Sequence, residues 1–155
     1  AGLSICPGWG GTNLLPARID PADAIRQTAS GTPMLFDAAR SKSMFDVVAP
    51  TTAQLLPAAK AWLVSAQGGT LHRDGAPKRW IGRPQCAAGC LAALDAVRAD
   101  LPATGSAAAV AEAVNVGLTQ GWQAALAAER RSLIRLRSSA EGKAAIAAFF
   151  AKSRK

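Results

Sequence analysis

The sequence predicts a single, helix-dominated α/β domain, and three observations carry that expectation. The chain is 155 residues long, which fits one domain of ordinary size and excludes two. It holds 36 Ala against 4 Trp, 4 Phe and no Tyr, so its packing units are small and suit helices that approach closely. Its apolar residues recur at spacings of three and four over several segments, whereas only two short runs have a β-type composition. Half of the residues are hydrophobic and 18% are charged, which supplies a core and excludes a polar, disordered polymer.

Leu3 to Cys6 reads as a short apolar strand running into a Pro-Gly turn and the pair Gly10-Gly11. Leu14, Leu15, Ile19, Ala22, Ile25 and Ala29 then mark a turn and a helix, with Asp20 as N-cap, Pro21 in the first turn and Gly31 beyond the end. After Gly31-Thr32-Pro33, Asp37 caps a short helix through Arg40, and Met44 to Val48 forms a second brief strand closed by Pro50. Thr51 or Thr52 caps the next helix, whose apolar face is Leu55, Leu56, Ala59, Trp62 and Leu63. Residues 67–85 combine glycines and prolines with scattered cations, a composition for a long irregular loop. Cys86 to Val97 is helical, and Leu101-Pro102 to Gly105 breaks the chain again. Ser106 caps a long Ala-rich helix reaching Arg137, with room for adjustment at Gly117 and Gly121, and Ser138 or Ser139 opens a last helix through Lys152.

The net charge is +8, and most of it is local: between Glu129 and Lys155, Arg130, Arg131, Arg135, Arg137, Lys143, Lys152, Arg154 and Lys155 face only Glu129 and Glu141. Such a patch suits nucleic acid, an acidic partner or the phosphates of a bulky cofactor, or is simply a solvated helix face. No apolar run of about 18 residues occurs, and no basic segment precedes an apolar one at the start, so neither a membrane span nor a signal peptide is expected. Three cysteines, two of them four apart on one helix face (Cys86 and Cys90), suggest a reduced, intracellular compartment rather than a disulfide framework.

The most distinctive run is Pro7-Gly8-Trp9-Gly10-Gly11-Thr12, in which glycines leave backbone N–H groups open to a water, an oxyanion or a phosphate. It lacks the third glycine of the dinucleotide fingerprint and the Gly-Lys-Ser/Thr of a phosphate loop. Cys86, Cys90 and His72 do not form a zinc set, and the stripe Cys86, Cys90, Leu94 reads as small buried packing residues. His72, beside Arg73 and Asp74, is the one histidine available for acid–base work. The carboxylates, Glu129 among them, read mostly as caps and polar helix faces, with no pair placed as an acid–base dyad.

The segment Leu3-x-x-x-Pro7-Gly8-Trp9-Gly10-Gly11-Thr12-x-x-Leu15-Pro16 resembles the signature of the crotonase (enoyl-CoA hydratase/isomerase) family. Ile19-Asp20-Pro21-Ala22-x-Ala24, Gly31-x-Pro33, Ala38-Ala39, Asp46-Val47-Val48 and Pro50 are similar to the helix, turn and strand that follow it there. Glu129 to Leu136, Glu141-Gly142 and Ala148 to Lys152 resemble the last two helices, and Leu91 to Val97 with the preceding loop is most similar to the hydratase domain of multifunctional fatty-acid-oxidation α subunits. Ser4 and Ser43-Met44-Phe45 depart from the usual Gly and Gly-Leu-Val.

The resemblance implies the C-terminal half of a crotonase fold, a ββα superhelix with a C-terminal helical trimerisation region. On that basis residues 1–50 end the core, 51–105 form helix, long loop and helix, and 106–155 form the helical region. The implied activity is an enoyl-CoA hydratase-like lyase adding water to 2-enoyl-CoA in fatty-acid β-oxidation. Its oxyanion hole and first glutamate belong to the missing N-terminal half, and its second glutamate would stand immediately before Ala1, so the chain alone is expected to be inactive. Carried over by motif position, Gly8 lends its backbone N–H to the catalytic water, and Pro7, Trp9, Leu133, Phe149 and Lys152 contact the acyl-CoA. The implied partners are an acyl-CoA thioester, the N-terminal half and further copies in a trimer or a dimer of trimers, in the cytoplasm. Neither a metal nor a separate cofactor is expected, coenzyme A being part of the substrate, and nucleic acid is not the expected partner. The alternative is a noncatalytic CoA- or RNA-binding or oligomerisation module of the same fold.

Overall fold

The computed structural model describes residues 3–66 and 74–152. Eight α-helices occur among them: α1 Gly11–Leu14, α2 Pro21–Ser30, α3 Phe36–Ser41, α4 Thr52–Ala66, α5 Pro84–Val97, α6 Gly105–Gln120, α7 Trp122–Ser138 and α8 Ala140–Lys152. The chain divides into two units, one of residues 1–33 with 79–155, the other of residues 34–78.

In the first unit α6 is the central element, burying Ala107, Ala109, Val110, Ala111, Ala113, Val114 and Gly117. These small residues let α7 and α2 pack closely against it, while α5 packs on both α2 and α6, and α8 on α7. Ile25, Ile81, Leu94, Val97, Val110 and Val114 are its large, fully buried apolar side chains. As the sequence implies, the Asp20 side chain accepts from Asp23 N (2.9 Å) to start α2, and the helix ends where Gly31 N donates to Gln27 O (3.0 Å). Cys90 and Leu94 are buried and Cys86 is half-buried, in keeping with a packing stripe. Burial pushes the Cys90 thiol up to about 11, with Cys86 a smaller contributor.

Several expectations are corrected. The α/β reading required strands at 3–6 and 44–48, but no strand occurs among the described residues: both segments are turns, bends and irregular backbone, since a strand needs a neighbouring strand to complete its ladder. The single helix expected from Ser106 to Arg137 is two helices. Gly121, at φ 91 and ψ 178, adopts a backbone that only glycine takes readily, and it ends α6 and starts α7. The N-cap of α6 is Thr104, whose hydroxyl accepts from Ala107 N (3.2 Å), rather than Ser106, which is buried. Helix α5 starts two residues before Cys86 because Pro84 suits a first turn. Asp37 lies inside the first turn of α3 rather than capping it.

In the second unit, α3 is followed by a tight turn in which Met44 N donates to Ala39 O (3.0 Å), and Phe36 stacks on Phe45 with centroids 5.7 Å apart. Helix α4 buries none of its residues. Leu55, Leu56, Trp62 and Leu63, its expected core face, are all exposed, and Pro57 lies within the helix.

Candidate functional site

The glycine run folds as a tight turn seated on one face of α7. Trp122, Leu126, Glu129 and Leu133 are spaced by four, three and four, so all four lie on one helix stripe. Each meets the turn. A Cβ on Gly10 would stand 2.5 Å from Trp122 Cη2 and 3.3 Å from Leu126 Cδ2, and a Cβ on Gly8 would run into Leu133 Cδ2. Gly10 is also at φ 94, where it starts α1 by accepting from Asn13 N and Leu14 N (both 2.9 Å). Conformation and proximity therefore both demand glycine at this position.

Glu129 completes the seat. Its side chain is fully buried, with Oε2 accepting from Gly10 N and Oε1 accepting from Thr12 N (2.9 Å) and from the Thr12 hydroxyl. Both carboxylate oxygens are thus engaged by donors from one turn, 117 to 119 residues away in sequence. The Cys6 thiol points at the Glu129 carbonyl (3.9 Å). Burial pushes that thiol upward, the Glu129 carboxylate adds to the shift, and a hydrogen bond to its own backbone and Arg135 act against it.

The network continues inward through Asn13, which is fully buried. Its Nδ2 donates to Thr12 Oγ1 (2.9 Å) and Ala113 O (3.3 Å), while its main-chain carbonyl accepts from Ile81 N (3.0 Å). Asn13 Oδ1 lies against Gly117, so closely that a Cβ there would collide with it, and has no hydrogen-bond partner among the described residues. Trp80 packs edge-on against Trp122 with centroids 5.6 Å apart.

Of the expected acyl-CoA residues, the structure brings Gly8 against Leu133, with Pro7 and Trp9 flanking Gly8 in the turn. Gly8 is buried, Pro7 and Leu133 are half-buried, and Trp9 is 80% exposed at the tip of the turn. The Gly8 N–H has no hydrogen-bond acceptor among the described residues. Phe149 and Lys152 sit three apart on α8, both exposed, with Phe149 edge-on to Phe150 (5.6 Å). His72 lies outside the described residues.

Reading Glu129 as a polar-face carboxylate is corrected: it is the most deeply buried acid of the chain's described part. Its sequence signal was its register, since Ala125, Ala128, Ser132 and Leu136 around it form the buried side of α7. No group of three or more His, Cys, Asp and Glu among the described residues could hold a metal ion, and none of their helices is long and apolar enough to cross a membrane. Compared with known proteins, the chain matches no protein-family model, and no curated protein matches it.

Proposed function

We propose that this chain supplies the glycine turn and C-terminal helices of a crotonase-type acyl-CoA site. The observation that carries the reading is the turn: a buried Gly8 whose N–H has no described acceptor, held by a carboxylate that clamps Gly10 and Thr12. A backbone donor fixed in this way suits an oxygen atom at a reacting centre, because it needs no reorganisation when charge develops. In the proposed hydration of a 2-enoyl-CoA, Gly8 positions the attacking water, and Pro7, Trp9 and Leu133 border the bound thioester. Phe149 and Lys152 on α8 then serve the nucleotide end, Lys152 as a charge partner for a phosphate. The carboxylates that activate water and the donors that hold the thioester oxygen would come from residues outside this chain.

Calorimetric titration with CoA, paired with a crotonyl-CoA hydration assay on the purified chain, tests this. Saturable CoA binding without turnover is expected. Absence of CoA binding would remove the acyl-CoA site, and measurable hydration by the chain alone would remove the claim that its catalytic groups lie elsewhere.

A further inference from the structure

The corner between α7 and α8 carries a second, unrelated arrangement. Ile134, Arg137 and Ser138 from α7 and Lys143, Ile146 and Ala147 from α8 line a groove of about 480 Å³. That is the size range of small-molecule sites. Its apolar lining is Ile134, Ile146 and Ala147, and its polar side chains are two cations and a hydroxyl. No carboxylate lines it: Glu141, two positions and about 200° around α8 from Lys143, faces a different groove with Thr104 and Ser106.

Two physical facts separate this groove from an ordinary solvated helix face. Arg137 in the last turn of α7 is favoured by the helix dipole, but Lys143 lies in the first turns of α8, where a cation is disfavoured. Both cations line one groove that no described acid enters, so an anion there would meet two positive partners. The two helices meet closely at this corner: the Ser139 hydroxyl accepts from Gly142 N (3.0 Å), and a Cβ on Gly142 would strike the Leu136 carbonyl. The exposed Arg130, Arg131 and Arg135 on the same helix raise the potential that would steer an anion toward it.

We infer that this groove binds a small soluble phosphomonoester, with the phosphate between Arg137 and Lys143 and an apolar body over Ile134 and Ile146. The inference stands apart from the acyl-CoA reading, and its probe is chosen accordingly. Phenyl phosphate, which has neither thioester nor nucleotide, is titrated into the labelled chain and followed by amide shifts. Saturable shifts at Ser138 and Lys143 are expected, with weaker binding of inorganic phosphate because it forfeits the apolar lining. Arg137→Gln and Lys143→Gln, both at exposed positions, should each weaken phenyl phosphate binding about tenfold, while the charge-matched Arg26→Gln variant, also at an exposed position, changes it less than about twofold. Equal losses in that control would reduce the effect to general basicity and overturn the site. So would an absence of saturable binding, or binding to phosphatidic acid vesicles with none to soluble phosphates.

Discussion

Helices α7 and α4 invert the usual relation between composition and burial. Helix α7 carries Glu129 and four arginines, yet its stripe of Trp122, Leu126, Glu129 and Leu133 is where the glycine turn is seated. Helix α4 carries one charge, Lys60, and leaves Leu55, Leu56, Trp62, Leu63 and Val64 exposed. The difference lies in what the facing backbone permits. Gly8 and Gly10 let the chain come within contact of α7, and a buried carboxylate is tolerated there because three donors satisfy it. Hydrophobicity creates a demand for burial, and only a complementary surface meets it.

The largest effect expected in testing that contrast is at Glu129. Glu129→Ala strands the Gly10 and Thr12 donors in the interior, at about 1–3 kcal/mol for each unpaired group, and should lower stability by more than about 3 kcal/mol in urea denaturation. Glu129→Gln should be intermediate, because an amide offers one acceptor oxygen where the turn presents donors to both. A Gln variant as stable as the parent would mean that the carboxylate does not organise the turn.

Leu94→Ala comes next, with a loss of about 2–5 kcal/mol for a fully buried leucine. Cys90 adds a pH dependence. Its thiol titrates near 11 in the fold against an ordinary 9.0, so the folded chain holds a proton that the unfolded chain releases. That contribution is complete below pH 9 and is lost as pH rises from about 9 to 11, a change on the order of 2–3 kcal/mol. Denaturant midpoints of the parent and Cys90→Ser across that range check it. A parallel decline in both proteins would assign the alkaline loss to other groups.

The parts legible in the sequence were those written in local chemistry. Asp20-Pro21 and Gly31 bound α2 where expected, and the register of Cys90 and Leu94 gave a buried face. What was not legible depended on distant partners. The segments 3–6 and 44–48 have strand composition but meet no second strand among the described residues. Glu129 looks like a solvated acid until the turn is folded onto it from more than a hundred residues away. The turn itself was visible as a run of glycines, but the reason for each glycine lay in α7.

The smallest expected effect probes α4 directly. Trp62→Ala and Leu56→Ala remove side chains that are 40% and 63% exposed, so each should shift stability by less than about 1.5 kcal/mol in dilute solution. The measurement gains force when repeated over a hundredfold range of protein concentration. If α4 is solvent-facing throughout, parent and variants hold a constant difference. A loss above about 2 kcal/mol that grows with concentration would place Trp62 in an interface between copies, because association stabilises the folded state by mass action. The contrast with α7 would then be one of timing, with one helix covered by its own chain during folding and the other covered only on assembly.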